Sequence, residues 1–134
     1  MATVFSLIME GELPAAIVHE DDLCAVIMAK DPLAEGHALV VPRAEIDHWI
    51  EVDDDLLAHL MAVARRVGAA QQRAFGAARI GVIVAGYEVP HVHVHVIPTS
   101  SMAELNFANA SPDAPLEALE RAARLIRDDL EPMS

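Results

Sequence analysis

The sequence predicts one α+β domain across residues 1–134, with a mainly antiparallel five-stranded sheet, one long helix and a C-terminal helix. Three observations lead there. Five short apolar or alternating runs, each bounded by Gly, Pro or Asp, read as strands. Residues 53–75 repeat their apolar positions at helical spacing, and residues 113–130 do so again. The composition, 54% hydrophobic but only 4% aromatic, supplies one core and makes it aliphatic.

In chain order, Thr3–Glu10 reads as a short helix with Thr3 as its N-cap, ended by Gly11 and Pro14. Ala15–His19 is a first strand, followed by an Asp21-Asp22 turn, and Cys24–Ala29 is a second. Asp31-Pro32 breaks the chain, and Gly36 leads into His37-Ala-Leu-Val-Val-Pro42, a third strand stopped by its proline. The long helix runs from Asp53 to Phe75 on Leu56, Leu57, Leu60, Met61, Val63, Ala64 and Val67, with Gly76 at C′. Gly68 inside it costs about 1 kcal/mol relative to alanine, which weakens the last two turns. Gly81–Ala85 is a fourth strand, whose unbroken apolar character predicts burial on both faces. Residues 86–90 turn into a fifth strand and residues 99–113 are irregular. Asp113-Ala-Pro115 then opens the last helix, with Leu116, Leu119, Ala123, Leu125, Ile126 and Leu130 on its apolar side.

The formal charge of −12 argues against a nucleic-acid groove or an anionic membrane surface as partner. Arg65, Arg66, Arg73, Arg121, Arg124 and Arg127 all fall in helical stretches, so a phosphate at the fifth strand must rely mainly on imidazoles and backbone N–H groups. Cys24 is the single cysteine, which precludes an intrachain disulfide and fits a reducing compartment. The apolar patch Val4–Met9 is too short for a signal peptide and lacks its basic flank. No run approaches the roughly 18 residues that span a bilayer. A soluble cytoplasmic protein is expected.

The fifth strand, His91-Val-His-Val-His-Val-Ile-Pro98, carries three of the seven histidines. A period of two sets His91, His93 and His95 on one face, about 6.6 Å apart, and Val92, Val94 and Val96 on the other. Packed or surface histidines account poorly for this, because each buried imidazole without a partner costs desolvation. A metal site is a second reading, since His-x-His on a strand suits zinc, although no Cys-x-x-Cys or His-Glu-x-x-His completes it. In a third reading one imidazole attacks phosphorus and forms a covalent intermediate, while its neighbours hold the oxygens and protonate the leaving group.

The run closely resembles the signature of the histidine triad (HIT) superfamily, His-φ-His-φ-His-φ-φ with φ apolar. Phe5-x-x-Ile8, Gly11-Glu-Leu-Pro14, Glu20-Asp-Asp22 and Gly36-His37-Ala-Leu-Val-Val-Pro42 stand in the order of its Hint-like branch. The likeness covers residues 3–98 and leaves the loop and helix of 99–134 outside it. It implies a HIT-like fold in which His93 is the nucleophile that becomes nucleotidylated. His95 would hold phosphate oxygens and help the leaving group depart. His91 would orient His93, partly through its carbonyl, and His37 would support from the neighbouring strand. Val4, Phe5, Ile8 and Ile27 would sandwich the base, with Glu88 in the loop before the triad. Also implied are a homodimer with joined sheets and cleavage of nucleoside phosphoramidates, acyl-adenylates or dinucleoside polyphosphates. Neither a metal nor a cofactor is expected in that chemistry.

Three departures from the pattern matter. Thr3 and Ser6 stand where many relatives carry the cysteines of a structural zinc site, and Glu45 at a third ligand position. Only His91 of that set remains, so no structural zinc is expected. Ala29 replaces an aspartate that binds the ribose hydroxyls, leaving a purine nucleotide as the favoured ligand with its sugar less well selected. Glu88 puts a carboxylate where relatives carry a hydroxyl, and is expected to point outward or to pair with His91 or His95. His19 reads as a strand-end residue, His48 as part of a surface turn, His59 as exposed or dimer-facing, and Cys24 as a small core residue. The expected function is a nucleotide hydrolase or transferase working through His93. Its rivals are a nucleotide-binding module with little turnover and a metal-dependent hydrolase.

Overall fold

The structure is a computed structural model and describes residues 2–132. Helix α1 spans Val4–Met9, and the Thr3 side chain caps it by accepting from the Ser6 N–H. Strands β1 (Ile17–Glu20), β2 (Cys24–Met28) and β3 (Ala38–Pro42) follow. Helix α2 (Asp54–Phe75) is capped by Asp53 and ends on Gly76, whose φ of 64° is the left-handed conformation that glycine adopts without strain. Then come β4 (Arg79–Ile83), β5 (Val94–Thr99) and helix α3 (Leu116–Asp129). Every strand pair is antiparallel, in the order β1-β2-β3-β5-β4. The expected α+β class and five-stranded antiparallel sheet are therefore what the chain forms. Among the described residues, no helix is long and apolar enough to cross a membrane.

The two faces of the sheet have different neighbours. Cys24, Val26 and Met28 of β2, Val40 of β3, and Val94 and Val96 of β5 face the helices. There they pack with Leu60, Val63 and Val67 of α2 and Ala122, Ala123 and Ile126 of α3. Ala25, Ile27, Leu39 and Val41 face the other way and meet Phe5 of α1. That second face is covered only in part, which leaves room for a site.

Several expectations need correction. The fourth strand lies two residues earlier than Gly81–Ala85 and is not buried on both faces: it is an edge strand, with Val82 46% exposed. An apolar run reports that a segment can be buried, not how many neighbours the topology gives it. β5 begins at Val94, after His91 and His93, and continues through Pro98. Pro98 lies beyond the last β3 pair, Ala38 with Val96, so its missing N–H interrupts no bond on that side. Helix α2 continues through Gly68 to Phe75; Gly68 is buried, and an added Cβ would meet Ile80 of β4 at 3.2 Å. Leu116 and Leu125 of α3 are exposed, and Ala122, absent from the expected apolar face, is in the core. The stretch 99–113 holds two 3-10 turns, Met102–Leu105 and Phe107–Asn109.

Candidate active site

His91, His93 and His95 share a side of the chain although only the last lies within β5. Val92, Val94 and Val96 fill the helix-facing core, so the alternation extends backward beyond the strand. His93 and His95 make an edge contact, with ring centroids 4.9 Å apart, and Phe5 of α1 packs against both His91 and His93. His37, just before β3, meets His95 diagonally across the β3–β5 pair in which Leu39 opposes His95.

Hydrogen bonds to backbone groups assign the proton on each ring. The carbonyl of His91 can only accept, so Nδ1 of His93, 2.8 Å away, carries its proton and Nε2 keeps a bare lone pair. The Leu33 N–H donates to Nδ1 of His37 at 3.0 Å, so the proton of His37 sits on Nε2 and is donated to Nδ1 of His95 at 2.9 Å. Nε2 of neutral His95 therefore carries a proton. One lone pair and one N–H stand side by side on neighbouring rings. Burial pushes the pKa of His37 down to about 4 and that of His95 to about 3, with neighbouring imidazoles adding to both. His93 is also lowered, by burial first, but its bond to the His91 carbonyl and the charge of Glu88 oppose this.

These residues line a cavity of about 660 Å³, within the usual size range of small-molecule sites. His37, His93 and His95 lie along it, and so do all five residues expected at the nucleotide: Val4, Phe5, Ile8, Ile27 and Glu88. His91 does not reach it. That ring is fully buried behind His93, its Nε2–H donating to the Pro42 carbonyl at 2.7 Å and its Nδ1 accepting from the Thr3 hydroxyl at 2.6 Å. Glu88 is exposed and, among the described residues, makes no bond to His91 or His95. Ala29 lines the cavity with a methyl group only.

The positions matching a zinc site in relatives do converge, but as a hydrogen-bonded group. Thr3 donates its N–H to Glu45 at 3.0 Å and its hydroxyl to His91, while Ser6 bonds Thr3. Thr3 thus links the helix cap to the triad, by a hydrogen bond between two positions that the resemblance groups in one site. Phe107 is a further site residue that the sequence does not announce; its ring meets that of His95 edge-on at 4.9 Å and forms part of the cavity wall. The irregular composition of 99–113 carries no periodicity that could have pointed to it.

A HIT domain profile matches residues 10–102. An uncharacterised HIT-like protein of Saccharolobus solfataricus is 32% identical over 103 residues, which cover 73% of this chain and 74% of that protein. The adenylylsulfatase HINT3 of Arabidopsis thaliana is 30% identical over 100 residues, 71% of this chain and 51% of that protein. Among solved structures, a Hit-like protein of Bartonella henselae described as involved in cell-cycle regulation superposes with a TM-score of 0.85. It is 29% identical, with 96% of each chain covered.

Proposed function

The chain belongs to the HIT domain family, whose members bind nucleotides and include hydrolases, and from that premise we propose that it cleaves nucleotide conjugates through a covalent nucleotidyl–His93 intermediate. The substrates are nucleoside phosphoramidates, acyl-nucleotides or dinucleotides, with purine bases favoured. The observation that carries the reading is the bond from His93 Nδ1 to the His91 carbonyl, which leaves Nε2 unprotonated beside His95.

Nε2 of His93 attacks phosphorus in line with the leaving group, and the new N–P bond forms as the bond to the leaving amine or oxygen breaks. The positive charge gained by the ring is stabilised through its Nδ1–H and the His91 carbonyl. An anionic phosphate raises the pKa of the adjacent His37–His95 pair, which takes up a proton and delivers it to the leaving group from His95. Water then attacks the phosphorus of the intermediate and returns a proton to His95, and His93 leaves as a neutral imidazole. The base lies among Val4, Phe5, Ile8 and Ile27, with Glu88 at the phosphate side of the rim.

The test is release of amine from an adenosine phosphoramidate, with chelator present, by wild type and His93→Ala. Turnover by wild type alone is expected. Equal turnover by both proteins, or turnover abolished by the chelator in protein that stays folded by circular dichroism, would remove the covalent reading. Ala29 favours one alternative: without a polar partner for the ribose, the protein binds nucleoside monophosphates but turns over few conjugates. Wild type that binds adenosine monophosphate yet leaves every conjugate intact would select it.

The proposal includes a homodimer, supported by β4 as an edge strand with exposed Val82. A monomeric mass by light scattering would refute it. It also includes a cytoplasmic setting, supported by a lone reduced cysteine.

A further inference from the structure

Cys24, His19 and His59 play no part in the cavity, and the fold gathers them around one carboxylate. Asp21 begins the turn between β1 and β2. Its Oδ1 accepts the N–H groups of Leu23 and Cys24, both at 2.8 Å, which fixes the turn and aims Oδ2 inward. Three donors converge on Oδ2: His19 Nε2 at 3.0 Å, His59 Nε2 of α2 at 2.9 Å, and the Cys24 thiol at 3.6 Å. A bulge in β1 makes this convergence possible. Ile17 pairs with Ile27 on the cavity face, but the register then shifts so that His19 pairs with Val26, whose side chain faces the helices. Without that shift His19 would share the face of Ile17, away from Cys24 and α2.

We propose that Asp21, Cys24 and His59 form a zinc site that fastens the β1–β2 hairpin to α2, on the face of the sheet opposite the nucleotide cavity, with His19 holding the Asp21 carboxylate from the side. An imidazole, a thiolate and a carboxylate, with water in the fourth position, make a donor set that suits zinc and not calcium or magnesium. Bonds of about 2.0–2.3 Å place the ligand atoms of a tetrahedral zinc roughly 3.3–3.7 Å apart. The Cys24–Asp21 separation of 3.6 Å falls in that range, the His59–Asp21 separation of 2.9 Å is a hydrogen-bond length that opens by about 0.4 Å on binding, and the Asp21, Cys24 and His59 donor atoms all lie within 4.8 Å of one another. Zinc replaces the hydrogens that Cys24 and His59 now share with Oδ2: the thiol proton leaves to solvent, and the His59 imidazole offers its Nε2 lone pair with its proton on Nδ1. Burial, with the charge of Asp21 second, pushes the Cys24 thiol up to about 12, so the apo cysteine is not a reactive nucleophile. A dication in contact reverses that, and binding must release protons and tighten as pH rises. The site departs from the expectation of a metal-free protein, because its ligands are recognisable only after the β1–β2 turn and α2 bring them together.

The experiment uses the full chain, stripped with chelator and titrated with Zn2+ against a chromogenic competitor, with Co2+ as the spectroscopic probe. Wild type should take up one ion per chain, gain thermal stability, and show a thiolate-to-Co2+ charge-transfer band with tetrahedral ligand-field bands. Cys24→Ser should lose the charge-transfer band. His59→Ala, at a partly exposed helix position and shown to be folded by circular dichroism, should bind at least tenfold more weakly. His93→Ala should bind as wild type does, which separates this site from the triad. Absence of uptake by wild type, absence of the thiolate band, or unchanged affinity in His59→Ala would each overturn the proposal.

Discussion

Glu88 stands exposed at the cavity rim, and its charge acts on His93 against the effect of burial. A carboxylate there repels an incoming phosphate but also favours the protonated, non-nucleophilic form of His93. Glu88→Gln removes both effects, so kcat/KM should change by less than tenfold, about 1.4 kcal/mol in the barrier. The acid limb of the pH–rate profile should move to lower pH, because His93 must be unprotonated to attack and loses a neighbour that raised its pKa. A loss far beyond tenfold would make Glu88 a participant in the chemistry. The triad face was legible in the sequence because a period of two is a local property of strands. Local pattern marks Thr3 only as a cap, and the family resemblance alone groups it with His91. That its hydroxyl also bonds His91 depends on a contact across 88 residues, which no local pattern encodes.

At the scale of elements, the placement of His37 and His95 rests on α2. Gln71 is fully buried, and its Nε2 donates to the Gly36 carbonyl at 2.8 Å and the Val96 carbonyl at 2.9 Å. One side chain thus ties the approach to β3, next to His37, and β5, next to His95. Gln71→Leu deprives two inner carbonyls of a donor, partly offset because it also removes the Oε1 atom, which has no partner among the described residues. We expect a net loss of about 2 kcal/mol in urea unfolding and a fall in kcat greater than that in affinity for adenosine monophosphate. Stability unchanged within about 0.5 kcal/mol would mean the carbonyls are satisfied otherwise. The helix itself was legible from end to end, since Asp53 and Gly76 are local signals at a cap and a left-handed terminus. Gln71 within it reads as one more polar helix residue until β3 and β5 lie beneath it. β4 failed for the same reason in reverse: its sequence is that of a buried strand, and only the strand order reveals that it has one neighbour.

For the whole molecule, opposing forces act as pH falls from neutrality. The chain carries −12 and has a pI near 4.8, so acidification removes net self-repulsion. Against this, His37 and His95 are held neutral by burial, with pKa values near 4 and 3, and His93 is lowered too. The unfolded chain protonates His37 and His95 below their ordinary value of 6.5 while the folded chain does not. Between pH 6.5 and about 4 the unfolded state therefore binds more protons, and stability must rise with pH and fall with acid. Asp21 acts with the same sign at lower pH, because burial raises its pKa but the bonds from His19, Leu23, Cys24 and His59 together hold it well below the carboxylate range. Self-repulsion among exposed charges is screened at physiological ionic strength, whereas buried imidazoles are screened much less, so the histidines decide the outcome. The urea midpoint at about 0.15 M salt should fall steadily from pH 7 to pH 5 even as the protein nears its isoelectric point. His95→Gln, which cannot titrate, should show a shallower fall than wild type. A midpoint that held level or rose toward pH 5 would mean that the cavity histidines are already protonated in the folded protein, and the lone pair on His93 would lose its basis.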